Sequence, residues 1–193
     1  MRRVIPYGKQ TIDKYDKKNV AKALNNSFLT TGPLVEKFEK EFSKNLGVRY
    51  AISCSSGTAA MHLALRAINL KKNDKIIIPA INFISTINLA KLIGANIFLA
   101  DVDQVTGQMT PATLLQCLKK NKLKKIKAFF TMHNGGHPLN LKEFYIIKKK
   151  IKAFLVEDAC HSLGAKYLLN NKSNVGNCMY SDISTFSFHP VKS

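Results

Sequence analysis

The chain predicts an α/β fold in which a mostly parallel sheet carries helices on both faces, and three observations support this. Short continuous apolar runs such as IIIP, IFLA and FFTM are bounded by Gly, Pro, Asn or Lys. Amphipathic segments of helical length lie between these runs. The two kinds of segment then alternate along the chain, which is the pattern of a buried parallel sheet covered on both sides.

The elements follow in order. Residues 13–25 read as a helix with Val20, Ala23 and Leu24 facing inward, and the TTGP turn comes next. Pro33 opens a second helix whose Phe38, Phe42 and Leu46 recur every fourth residue, and Gly47 stands where a left-handed cap belongs. Residues 50–53 form a short strand, 58–68 a helix, 75–79 a strand, and 83–93 a helix closed by Gly94. Residues 96–100 are a strand, and Thr110 caps a helix over 111–120. Strands at 126–132 and 153–157 flank a helix over 141–150, and 185–188 is the last strand.

A length of 193 residues with 46% hydrophobic content suits one domain with a real core. No apolar run approaches the roughly 18 residues of a membrane span, and MRRVIPYGKQ has no apolar stretch behind its arginines. The expectation is a cytoplasmic protein with no membrane partner. Cys54, Cys117, Cys160 and Cys178 lie far apart without a CxxC pair, so they read as reduced thiols. His133 and His137 sit four apart on a Gly-Gly loop rather than a helix, and no metal site is expected. The formal charge of +18 raises the possibility of a basic module for nucleic acid or anionic glycan. The charge is nearly all lysine without interleaved aromatics, which favours a solvated surface and no nucleic-acid partner.

In a parallel sheet, chemistry gathers at the carboxyl ends of the strands. There SCSSGTAAMHLAL runs from a small-residue loop straight into a helix, whose free N–H groups make an anion cradle. Asp158 follows the strand AFLVE, and Lys192 follows the last strand. A lysine in such a place attacks carbonyls readily, whereas a carboxylate there either caps a turn or pairs with a protonated ring nitrogen. Together these three features suit pyridoxal 5'-phosphate, which needs an anchored phosphate, an acid opposite its ring nitrogen and a covalently attached lysine.

The stretches FLTTGPLVEKFE, SSGTAAMHLAL, PAINFISTINLAKLIGA, DVD, VEDACHSLGA and SDISTFSFHPVK together resemble the DegT and StrS family of sugar-nucleotide aminotransferases. The opening IPYGKQ and the ending SFHPVK resemble its PseC-like branch. The resemblance implies that Lys192 holds the cofactor covalently and Asp158 faces its pyridine nitrogen. Gly57, Thr58, Ala59 and Ser187 would hold the phosphate, Phe83 would stack on the ring, and His161 would lie near the phenolic oxygen. It further implies transfer of an amino group, commonly from glutamate, to C4 of a UDP-linked 4-keto-6-deoxy-N-acetylhexosamine for pseudaminic acid, or to a different nucleotide sugar. Family members that dehydrate carry His where Lys192 stands. Asn134 departs from the aromatic or apolar residue usual in that loop. The resemblance also implies a homodimer, and that residues 1–193 are the amino-terminal half of a longer enzyme. On that reading 1–47 are N-terminal helices and 48–193 the core of an incomplete large domain. A further strand, lying between the first and sixth strands, and a small domain would be missing, leaving a gap in the sheet and unpaired edges.

Overall fold

Ile76, Ile77 and Ile78 set the centre of the fold, because successive strand residues face opposite sides and all three are buried. The computed structural model describes residues 10–167 and 173–192, so IPYGKQ lies outside them except for Gln10. The strands are β1 (Lys75–Pro79), β2 (Asn96–Ala100), β3 (Ala128–Met132), β4 (Phe154–Asp158) and β5 (Ile183–Thr185). They pair in parallel in the order β2-β1-β3-β4-β5.

The helices are α1 (Lys14–Leu24), α2 (Pro33–Leu46), α3 (Gly57–Ala67), α4 (Ser85–Ile93), α5 (Pro111–Lys120) and α6 (Leu141–Ile151). Ile76, Ile78, Ala128, Phe130 and Val156 pack with Met61, Leu65 and Ala90 of α3 and α4. The intervening Ile77, Phe129 and Leu155 pack on the other face with Leu114, Cys117 and Phe144 of α5 and α6. This is the two-sided cover that the apolar runs predict. Period-two alternation also sends Glu157 and Asp158 of β4 to opposite faces.

Local chemistry explains the boundaries. Thr110 accepts from the Thr113 amide, and Pro111 occupies the first turn of α5. Gly47 and Gly94 end α2 and α4 in the left-handed conformation, with φ of 71° and 83°. Lys44, Arg66, Lys91, Lys119 and Lys148 stand in last turns of helices, where a cation meets the negative end of the dipole.

The structure corrects several boundaries. Residues 50–53 form no strand; Ser53 is instead held by its N–H and hydroxyl donating to Glu39, at 2.6 and 2.9 Å. The last strand covers Ile183–Thr185 rather than 185–188; beyond it 186–189 take no regular structure and Lys192 N–H closes a turn on the His189 carbonyl at 2.7 Å. The helix expected from residue 83 begins at Ser85, so Phe83 stays in the preceding loop. Val20 and Leu24 do not face inward: α1 buries none of its residues. On α2, Phe38 and Phe42 stack on each other and meet Phe186 and Phe188 edge-on. Among the described residues, no helix is long and apolar enough to cross a membrane.

Candidate functional site

At the carboxyl ends of β4 and β5 the sheet opens into a groove of about 1550 Å³, bounded by α3, residues 48–56 and the segment after β5. Gly57, Thr58, Phe83, Asp158, His161, Ser187 and Lys192 line it. They come from four separate segments of the sequence. Ala59, the eighth site residue expected, is not among the lining residues, and its N–H donates to the Ser56 hydroxyl at 3.1 Å as part of the α3 cap.

The anion cradle is built by that cap. Ser56 turns in extended conformation and α3 begins at Gly57. Among the described residues nothing accepts the Gly57 or Thr58 N–H, as first-turn amides require an outside partner. A Cβ at Gly57 would lie 3.2 Å from the Ser187 Cβ and 3.3 Å from the Cys160 sulfur. The loop after β5 therefore sits directly against the helix start, and a side chain at 57 would push them apart. Ser187 accepts from the His189 N–H at 3.3 Å, which leaves its hydroxyl proton free to donate into the groove. Thr185 adds a buried hydroxyl with no hydrogen-bond partner among the described residues.

Asp158 is the last residue of β4, in register with Met132 of β3 and Thr185 of β5. It is buried, and one carboxylate oxygen accepts from the Cys160 N–H at 3.1 Å. The other oxygen accepts nothing among the described residues. Lys192 reaches back so that its Nζ lies 2.6 Å from His161 Nε2 and 6.0 Å from the centre of the Phe83 ring. Burial lowers the His161 pKa below the ordinary value, the Lys192 charge lowers it further, and Asp158 opposes both. Burial pushes the Cys160 thiol well up, assisted by Asp158, so this sulfur is neutral in the physiological range.

Behind Asp158 lies a polar cluster that the residue pattern did not announce. Glu157 is fully buried on the opposite face of β4 and gathers four side chains. His133 Nε2 lies 2.7 Å from one oxygen, and the Tyr167 hydroxyl donates at 2.9 and 3.0 Å to the two oxygens. Ser181 and Ser184 donate at 2.8 and 2.7 Å. Burial alone would raise the Glu157 pKa, but the bonds from His133, Ser184 and Ser181 outweigh it and the carboxyl stays below its usual value. The available signal was a carboxylate two residues beyond Leu155 on a face that is otherwise apolar, where an ion needs partners. His133 also closes β3, its N–H donating to the Asp158 carbonyl at 3.2 Å. The following loop passes so close to His161 that a Cβ at Gly136 would lie 2.5 Å from its carbonyl oxygen. Asn134, the departure noted above, is exposed and reaches toward Gly107.

An anion cradle, a free carboxylate oxygen and an amine in one groove can bind a phosphorylated aldehyde and hold a proton at a basic ring nitrogen. Comparison with known proteins gives this arrangement a context. The chain is 32% identical over 185 residues to GDP-perosamine synthase of Escherichia coli O157:H7, covering 95% of this chain and 48% of that protein. It is likewise 32% identical over 188 residues to the UDP-4-amino-4-deoxy-L-arabinose–oxoglutarate aminotransferase of Shewanella sediminis (strain HAW-EB3), covering 97% and 46%. The chain thus spans about half the length of the curated relatives it matches. Among solved structures, Helicobacter pylori PseC, an aminotransferase of pseudaminic acid biosynthesis, superposes with a TM-score of 0.85 at 27% identity over 97% of this chain and 48% of that one. NtdA of Bacillus subtilis, solved with bound cofactor PMP, superposes with a TM-score of 0.78 at 28% identity over 93% and 39%. The family model for DegT/DnrJ/EryC1/StrS aminotransferases matches residues 10–193, and the chain belongs to that family.

Proposed function

We propose that this chain carries the cofactor half of a pyridoxal 5'-phosphate-dependent sugar aminotransferase site, with Lys192 as the attachment residue. The observation that supports it most is that the Lys192 amine, the free oxygen of Asp158 and the unpaired Gly57 and Thr58 amides open into one groove. When bound, the cofactor supplies an electron sink for the carbon that loses a proton during amino transfer. The chain's own groups do the rest. Gly57 and Thr58 N–H groups, the α3 dipole and the Ser187 hydroxyl bind the phosphate. Asp158, desolvated on the sheet, holds a proton at the ring nitrogen, and Phe83 covers a ring face. Lys192 would move a proton to and from the reacting carbon.

The substrate proposed is a nucleotide-linked 4-keto-6-deoxy-N-acetylhexosamine carried on UDP and aminated at C4, with glutamate as donor, in a homodimeric enzyme. The PseC likeness supports it. A GDP-linked keto sugar is the runner-up, supported by the identity to GDP-perosamine synthase. Adding pyridoxal 5'-phosphate to the purified chain should give a visible absorption band that borohydride removes, and Lys192→Ala should abolish it. A band that survives in Lys192→Ala sinks the assignment. Incubation with glutamate and the UDP- and GDP-linked keto sugars then separates the two substrates by which one gains an amine.

A further inference from the structure

The contact between Lys192 Nζ and His161 Nε2, at 2.6 Å, places two basic nitrogens where only one proton fits between them. We propose that His161 is the base that takes a proton from the Lys192 ammonium before this lysine attacks an aldehyde, and returns it when water leaves. This rests on the reading of Lys192 given above. Neutral His161 accepts one proton from the ammonium, and the freed amine adds to the carbonyl carbon. One of the two remaining nitrogen protons moves to the carbonyl oxygen, and protonated His161 gives its proton to the resulting hydroxyl. The carbon–oxygen bond breaks, one water departs, and a protonated carbon–nitrogen double bond remains with His161 neutral again.

The charges acting on His161 are Lys192 and Asp158; burial and the Lys192 charge lower its pKa, so the ring is neutral with a lone pair free to accept near neutral pH and gives the proton up again readily. From the same segment Cys160 presents a thiol held neutral by burial. Cys54 and His189 line the same groove, while His133, on the loop packed against the His161 carbonyl, is turned into the Glu157 cluster. His161 is therefore the imidazole in contact with the reacting amine.

The test uses the full 193-residue chain and pyridoxal 5'-phosphate as the probe. The rate at which the probe becomes borohydride-fixable on Lys192 is followed by mass between about pH 5 and 10. The wild type should reach its plateau rate by neutral pH. His161→Ala should capture the probe at least tenfold more slowly at pH 7, keep rising with pH where the wild type has levelled off, and be rescued by added imidazole. His161→Gln, which fills the space and accepts a hydrogen bond but takes no proton, should be as slow as His161→Ala and keeps the test valid if the alanine variant does not fold. Equal rates and pH profiles in the wild type and His161→Gln overturn the proposal and leave the role of Lys192 standing. No capture by the wild type overturns both.

Discussion

Replacing Glu157 by leucine removes the acceptor at the centre of the buried cluster while keeping similar volume. Ser181 and Ser184 lie 3.1 Å apart and can re-pair with each other, and the Tyr167 hydroxyl still accepts from the Gly176 N–H at 3.2 Å. The donors left without a partner are His133 and the Tyr167 proton, both almost fully buried. At about 1–3 kcal/mol for each orphaned donor, the loss is about 2–6 kcal/mol, against a domain stability of about 5–15 kcal/mol. Urea unfolding followed by far-ultraviolet circular dichroism should show the midpoint falling with the slope unchanged. The effect should also depend on pH. Because the folded-state pKa of Glu157 is lowered, its stabilisation is complete above the ordinary carboxylate value of about 4.3 and is lost as pH falls below it. The gap between wild type and Glu157→Leu should therefore narrow on acidification. A variant within about 0.5 kcal/mol of wild type at pH 7, the range of an ordinary surface substitution, would refute the reasoning.

The other predictions are smaller. Gly136→Ala places a Cβ against the His161 carbonyl at a backbone φ of 83°, and should cost about 1–3 kcal/mol while slowing capture of pyridoxal phosphate. Asp182 accepts from the Leu155 N–H at 2.8 Å and from Lys148 at 2.6 Å. Asp182→Ala should cost about 1–3 kcal/mol in urea unfolding through the orphaned amide, and Lys148→Met, at a partly exposed pair, under about 1 kcal/mol. Of the four cysteines, Cys54 is exposed, Cys117 is buried, and burial raises the thiols of Cys117, Cys160 and Cys178. A disulfide reagent on the native protein at pH 7.5 should label Cys54 first, and Cys54→Ser should remove the fast phase.

Much of the sheet was legible because buried parallel strands are written as runs with clear stops. Lys75–Pro79, Asn96–Ala100 and Pro111–Lys120 begin and end where the residues say, the last because Thr110 and Pro111 mark its start without ambiguity. Residues 50–53 misled because a short run such as Tyr50-Ala51-Ile52 makes a strand only if a partner lies beside it, and β5 pairs with β4 alone among the described strands. Val20 and Leu24 misled for a related reason: helical periodicity shows which face is apolar, not whether anything covers it. At the site, Asp158 could be placed near the end of a strand, Gly57 at a helix start and Lys192 in the segment after the last strand, and the structure brings all three to one groove. The Glu157 cluster was not legible, since its members lie at 133, 157, 167, 181 and 184 and meet only once β3, β4 and β5 are side by side. Nor could spacing reveal that the Ala59 amide is taken up by its own helix cap.

Cofactor attachment at Lys192 can be read by treating the purified chain with pyridoxal 5'-phosphate below one equivalent, reducing it with borohydride, and mapping the modified peptide by mass spectrometry. The added mass should land on the peptide containing Lys192, and Asp158→Ala or Gly57→Val should weaken this preference. Label spread evenly over the surface lysines, with none favoured at 192, would contradict it.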